Sequence, residues 1–339
     1  MKKKQLSRRQ LWRIQKMQDE FASRAERQRS RQHNDLKQAE LGPEQKGVVI
    51  SHFGQQLDIE ALEGEQQGQI FRCHQRSNLE ALVTGDNVIW CAGSPTGVVV
   101  ANQPRNSVLI RPNNFGEIRP VAANIDNIII VIAARPHPHA SLIDRYLVAA
   151  ENINIRPLIL LNKVDLVNDE NRAELDDLLG VYEHIGYMVL RVSSKTGSGM
   201  KRLKTQLDNR TSIFVGQSGV GKSALINALM PGVDTLEGAL SDATDKGRHT
   251  TSSARLFHFP TGGDLIDSPG IREFGLWHMG NDELIDGFIE FRPFLGHCRF
   301  RDCHHQQEPG CRLLQAVAAG EVNAKRLQSY RQILQSLNG

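Results

Sequence analysis

From residue 47 to residue 112 apolar and polar residues alternate in short runs separated by turn residues. The runs are Gly47–His52, Gln56–Ala61, Gln69–His74, Asn87–Cys91, Thr96–Ala101 and Val108–Arg111. They break at Gly64, Gly68, Gly85–Asp86 and Gly93–Ser94–Pro95. A period of two between such breaks predicts strands. Five or six strands in about 65 residues suit a small closed barrel, and an OB-like fold leads. Barrels of that kind bind single-stranded nucleic acid or oligosaccharide, or serve only as packing units. After Asn113 the texture changes. Asp126–Ala134 is apolar almost throughout, as expected of a strand covered on both faces. Ser141–Asn152 has helical spacing, with Ser141 as N-cap and Leu142, Tyr146, Leu147 and Ala150 on the inner side. Strands at Pro157–Leu161, Tyr187–Val192 and Ser212–Val215 alternate with helices at Glu170–His184, Gly199–Asp208 and Ala224–Leu229. Two more strands, Arg255–Phe259 and Asp264–Ile266, flank the turn Thr261–Gly262–Gly263, and from Asn281 the chain reads as helix, cysteine cluster, helix.

This order predicts a β-barrel, then an α/β domain with a mostly parallel sheet and helices on both faces, then a small mainly helical domain. The expected divisions are 1–45, 46–112, 113–280 and 281–339.

Composition narrows the class. With 40% hydrophobic and 23% charged residues in 339, the chain reads as a soluble globular protein. Its longest purely apolar run, Ile128–Ala134, falls far short of the roughly 20 residues that span a bilayer. No apolar core follows the basic start, so no signal peptide is expected. Five unevenly placed cysteines are no disulfide framework, and a reducing cytoplasm is the simplest setting. The net charge of +3 conceals a split: residues 1–40 hold 12 Lys and Arg against 5 acids, leaving the remainder at −4. This arm carries a weak helical stripe (Leu11, Ile14, Met17, Phe21) and suits RNA phosphates, an acidic membrane or a solvated tail.

Gly216–Gln217–Ser218–Gly219–Val220–Gly221–Lys222–Ser223 matches G-x-x-x-x-G-K-[ST], between a predicted strand and a helix opening at Ala224. The glycines let backbone N–H groups crowd a phosphate, Lys222 reaches the β- and γ-phosphates, and Ser223 ligates Mg²⁺. Asn162–Lys163–Val164–Asp165 ends another strand, where open α/β sheets bind ligands. A carboxylate there accepts from guanine N1–H and N2–H together, a pair that adenine lacks. Asn162 would hold the loop and meet the base, while the Lys163 stem covers the base's face. Ser193–Ser194–Lys195 follows a further strand and lines the same pocket from its far side. Asp267–Ser268–Pro269–Gly270 follows an apolar strand, with Asp267 placed to hold Mg²⁺ through water and the Gly270 N–H to meet a γ-phosphate. Arg248–His249–Thr250–Thr251 offers that metal a hydroxyl; Thr251 is the expected ligand, with Thr250 as the alternative.

Cys298, Cys303, His305 and Cys311 form C-x4-C-x-H-x5-C, a donor set that suits closed tetrahedral Zn²⁺. His297 or His304 can replace His305 on spacing alone. Cys73 and Cys91 sit in predicted barrel strands as buried thiols.

The five nucleotide motifs resemble those of the translation-factor-like GTPases in a changed order. N-K-V-D and S-S-K precede the phosphate loop, R-H-T-T and D-S-P-G, which is a circular permutation. With a barrel before and a cysteine cluster after, residues 45–315 resemble the bacterial ribosome small-subunit-dependent GTPase A family. The resemblance implies a monomeric cytoplasmic GTP hydrolase that assists late maturation of the small ribosomal subunit. It further implies rRNA binding that depends on GTP or GDP, stimulation by the subunit, and no membrane. It points to the same four zinc ligands and to Lys222, His249, Thr251, Asp267 and Gly270 as catalytic. Ile271 stands where many GTPases carry a water-orienting Gln, so slow intrinsic hydrolysis is expected, with His249 the nearest substitute. A non-catalytic, GTP-gated RNA-binding scaffold is the alternative.

Overall fold

The computed structural model describes residues 41–54, 56–112, 117–231, 254–267 and 279–338. The first unit is a five-stranded barrel of β1 (Glu44–Phe53), β2 (Gln56–Ala61), β3 (Ile70–Gln75), β4 (Asn87–Cys91) and β5 (Gly97–Asn102). Its strands run β1-β2-β3-β5-β4, and β4 closes back onto β1. The period-two pattern explains it: Leu57, Ile59 and Ala61 of β2 point inward with Val49, Cys73, Val88, Trp90 and Val99, and the residues between them stay half exposed. Gly47 is required by packing, because a Cβ there would meet the Trp90 ring at 2.7 Å.

The barrel closes with five strands. The run at Val108–Arg111 instead forms β6 (Val108–Pro112), which pairs with β7 (Ile118–Ala123) in a separate two-stranded ribbon.

The second unit is the expected α/β sheet. Strands β8 (Asn127–Ala133), β9 (Arg156–Asn162), β10 (Met188–Arg191), β11 (Thr211–Val215) and β13 (Asp264–Asp267) run parallel in the order β10-β9-β8-β11-β13. Antiparallel β12 (Arg255–His258) follows β13 in that order. All seven residues of β8 are buried, with Ile128, Ile130 and Ile132 facing one core and Ile129, Val131 and Ala133 the other. The first core takes α1 (Ala140–Asn152) and α2 (Arg172–Ile185); the second takes α3 (Met200–Leu207) and α4 (Lys222–Leu229). The N-cap of α1 is His139 in an extended conformation, not Ser141. Pro138 fixes the chain just before it, so Ser141 falls inside the first turn.

The barrel and the α/β sheet are continuous. Ser51 of β1 pairs with Arg255 of β12, which makes one eleven-stranded sheet. Across this seam the His258 imidazole lies 2.6 Å from both Glu60 of β2 and Asp264 of β13. The bond to Asp264, with Glu60 adding to it, lifts His258 to about 9, so it is cationic at neutral pH.

The third unit holds α5 (Asn281–Asp286), the cysteine-rich loop, α6 (Arg312–Ala318) and α7 (Ala324–Asn338). It docks on α1. A Cβ on Gly287 would meet Val148 at 2.5 Å, and Asn152 Nδ2 donates to the Glu283 carbonyl at 3.0 Å. Arg326 of α7 is buried and binds Asp144 of α1, while its Nε donates to Glu290 at 2.5 Å. Its guanidinium lies 4.4 Å from the Phe288 ring centre, and Tyr182 donates to Asp144 at 2.7 Å.

Candidate nucleotide site and cysteine–histidine cluster

The phosphate loop joins β11 to α4, as its sequence context requires. Two of its glycines are there for space and conformation. At Gly216, φ is 140° and a Cβ would lie 2.2 Å from the Val131 carbonyl oxygen; at Gly221, φ is 92° and a Cβ would lie 2.5 Å from Asn162 Nδ2. Lys222 Nζ donates to the carbonyls of Gly216 at 2.6 Å and Gln217 at 2.8 Å. A cleft of about 630 Å³ lies over the loop, bounded by Gly216–Gly219, Gly221–Ala224, and Leu142 and Tyr146 of α1. Sequence reasoning placed these two α1 residues only in the core. Their signal was the short stretch between β8 and α1, which keeps the start of α1 beside the C-terminal edge of the sheet.

Asn162–Asp165 reaches the phosphate loop directly. Asn162, buried at the end of β9, donates to the Val220 carbonyl at 3.0 Å and accepts from the Ser194 N–H at 3.4 Å. Lys163, in a left-handed conformation, donates to the carbonyls of Gly219 at 2.6 Å and Arg135 at 3.1 Å. Asp165 accepts from the buried Ser193 hydroxyl at 2.6 Å. That bond, ahead of the charges of Lys195 and Lys163, holds its carboxyl below the ordinary value and keeps it an anionic acceptor. The Ser193 hydroxyl in turn accepts from the Thr196 N–H at 3.1 Å, which fixes its orientation. This orienting role of Ser193 was missed, since S-S-K spacing indicates proximity to the pocket and not the hydroxyl's direction. Asp267 ends β13, and β13 pairs with β11, so Asp267 stands at the same sheet edge as the phosphate loop. His249, Thr250, Thr251, Gly270 and Ile271 lie outside the described residues, as does the arm 1–40.

Cys298, Cys303, His305 and Cys311 come together with all four ligand atoms within 4.8 Å of one another. His305 Nδ1 lies 3.3 Å from Cys311, 3.6 Å from Cys298 and 3.8 Å from Cys303, and Cys298 and Cys311 sulfurs are 3.8 Å apart. A tetrahedral zinc with ordinary bond lengths needs edges of about 3.8 Å between sulfurs and about 3.6 Å between sulfur and nitrogen. The donors fit that metal. The imidazole in the cluster is His305 and neither His297 nor His304, and the backbone at His305 is left-handed (φ 58°). Burial holds His305 below its ordinary value, which favours the neutral, metal-binding form. Around it, Glu308 accepts from the N–H groups of His304, Gln306 and Gln307 at 2.8–3.0 Å, and Arg331 donates to the His305 carbonyl at 3.0 Å. Its own N–H and those of its neighbours hold the Glu308 carboxyl down to about 2.

Residues 102–277 match the family described as RsgA GTPase. Proteins named small ribosomal subunit biogenesis GTPase RsgA are 60% identical in Azotobacter vinelandii and 58% identical in Pseudomonas aeruginosa, each over 99% of this chain and 98% of the relative. The chain belongs to the RsgA GTPase family. It is a GTPase, a hydrolase. Among solved structures, YjeQ from Thermotoga maritima superposes with a TM-score of 0.72 at 30% identity over 88% of this chain and 99% of that one. YloQ, described as a circularly permuted GTPase, superposes with a TM-score of 0.70 at 28% identity over 87% of this chain and 96% of that one. The permuted order read from the motifs and the barrel that precedes them therefore belong to an established RsgA-type architecture. Among the described residues no helix is long and apolar enough to cross a membrane.

Proposed function

We propose that this chain hydrolyses GTP as a late maturation factor of the small ribosomal subunit, binding its rRNA in one nucleotide state and leaving in the other. The observation that carries the nucleotide reading is the bond set joining Asn162 and Lys163 to the phosphate loop while Ser193 aims Asp165. One rigid unit then reads guanine and cradles phosphates. Asp165 accepts from guanine N1–H and N2–H, with Ser194 and Lys195 on the pocket's far side. The backbone of Gly216–Ala224 cradles the phosphates, and Lys222 exchanges its carbonyl partners for β- and γ-phosphate oxygens. A bound Mg²⁺ would supply positive charge to offset that developing on the phosphates. Ser223, Thr251 and Asp267 would hold it. Gly270 meets the γ-phosphate, and His249 orients the attacking water in place of the absent glutamine.

The cysteine–histidine cluster holds one structural Zn²⁺, since its four donors leave no coordination position for water. The names of the close relatives support the small subunit as partner. The working divisions are the arm 1–45, barrel 46–112, GTPase unit 113–280 and zinc unit 281–339. The chain acts as a cytoplasmic monomer, with arm, barrel and zinc unit sharing the RNA contacts. The test is co-sedimentation with separated ribosomal subunits in GTP, GDP and a non-hydrolysable analogue, alongside turnover with and without small subunits. Nucleotide-dependent binding to the small subunit with stimulated turnover is expected; binding without stimulation would favour a GTP-gated scaffold, and no binding would overturn the reading.

A further inference from the structure

Among the described residues two phenylalanines are exposed, Phe53 at 46% and Phe300 at 43%. Phe300 lies midway in the loop that Cys298 and Cys303 close, where an apolar ring has no core to join. Its neighbours Arg299 and Arg301 are exposed as well. The Arg299 guanidinium sits 5.5 Å from the Phe300 ring centre. That arrangement is fixed from beneath: the Arg299 N–H donates to the Gly310 carbonyl at 3.1 Å, and a Cβ on Gly310 would lie 2.9 Å from the Arg299 side chain. Gly310 has φ 77°, so the arginine stem crosses a position that glycine alone occupies without strain.

We propose that Phe300, with Arg299 and Arg301, is a stacking platform for one unpaired base of a single-stranded RNA segment. An exposed ring with one guanidinium 5.5 Å from its centre and a second exposed arginine next in sequence suits a ligand that alternates flat π-faces with phosphates. A paired duplex offers no free base face, so the ligand is a loop, bulge or end. An apolar protein pocket would accept the ring, yet it has no use for the flanking guanidinium groups. The loop is short and pinned at both ends, so little ordering cost falls on binding. The inference rests on the small-subunit reading above and assigns one of its RNA contacts to named side chains.

The full chain, loaded with a non-hydrolysable GTP analogue, is titrated with small ribosomal subunits at several salt concentrations. Phe300→Ala and Phe300→Leu should each weaken binding about 5- to 150-fold, the range for losing one stacked base, while Phe300→Trp should keep it. The salt slope should be unchanged in Phe300→Ala and lower by about one in Arg301→Gln, because only the latter gives up a phosphate contact. Zinc content and far-ultraviolet circular dichroism equal to wild type show that each variant is folded. Wild-type affinity in Phe300→Leu would make the contact a generic apolar one with a protein and overturn the stacking assignment. Unchanged affinity in Phe300→Ala, with wild type still binding, would overturn this inference alone. Failure of the wild-type chain to bind subunits would overturn the broader reading and this one with it.

Discussion

Arg326→Ala should loosen the C-terminal unit from the GTPase unit by about 3–5 kcal/mol, the cost of stripping one partner from a buried ion pair. The guanidinium is almost fully enclosed, with side-chain exposure of 2%, and Asp144 and Glu290 are exposed by 1% and 12%. Removing Arg326 leaves two carboxylates in a space that already pushes Asp144 upward by burial, a push the Arg326 charge is the first to oppose. Lys325 provides the control. It pairs with Asp177 one residue earlier, at exposures of 60% and 67%, so Lys325→Ala should cost only about 0–1 kcal/mol. Arg326→Met keeps most of the packing on Phe288 and Tyr182, and its comparison with Ala separates packing from charge. Urea unfolding gives the global stability, and amide exchange in α1 and α7 locates the loss. The double variant Asp144→Asn/Arg326→Met should recover part of the single-variant loss, since the more deeply buried carboxylate is then neutral and only Glu290 has lost its cation. Equal small losses in Arg326→Ala and Lys325→Ala would refute the reasoning, as would exchange rates that rise everywhere except α1 and α7.

Asp165→Asn should weaken GTP by about tenfold or more for each charge-assisted bond it loses, read by calorimetric titration, and wild-type affinity would remove Asp165 as the base reader. Metal analysis of protein purified without added zinc should give one zinc per chain, and Cys303→Ala should lose it together with the fold of residues 281–315; a folded, active, metal-free protein would contradict the assignment. His258 has its pKa raised from 6.5 to about 9, so its contribution is fully present below 6.5 and lost as pH rises through about 9. Between about pH 6.5 and 9 unfolding midpoints should therefore fall more steeply in wild type than in His258→Gln, and parallel profiles across that window would exclude a cationic clasp at the seam.

The elements that were legible in the sequence are those whose burial is strictly periodic or complete. Strand β8 reads correctly because isoleucine and valine fill both faces, and β2 because Leu57, Ile59 and Ala61 alternate with polar residues. Strand β7 escaped: Ile118 is exposed and Pro120 interrupts the run, so its pattern resembles a loop until β6 is seen to need a partner. The nucleotide motifs were legible because each is a local arrangement of backbone and side chain. Arg326 was not, since its partners lie 36 and 182 positions away and no periodicity marks an arginine for the core. The choice of His305 among three histidines was not legible, since spacing alone admits any of them and only the folded loop brings one ring to the three sulfurs.

The order of strands in the sheet also sets an order of construction. On a translating ribosome the barrel is complete by β5, and β8, β9 and β10 then pair with one another in the sequence in which they are made. The half that carries Asn162, Asp165 and Ser193 is thus assembled before the phosphate loop exists. Strand β11 adds to the open edge of β8, and β13 adds to β11. The pairing of β12 with β1 ties the first unit synthesised to one of the last strands of the sheet. A nascent chain that stalls before residue 255 therefore carries a closed barrel with no β12 to join it to the sheet, and an exposed parallel edge at β11. Such unpaired edges invite aggregation in partly made chains. In this permuted chain that exposure ends only when the hairpin of β12 and β13 has been translated.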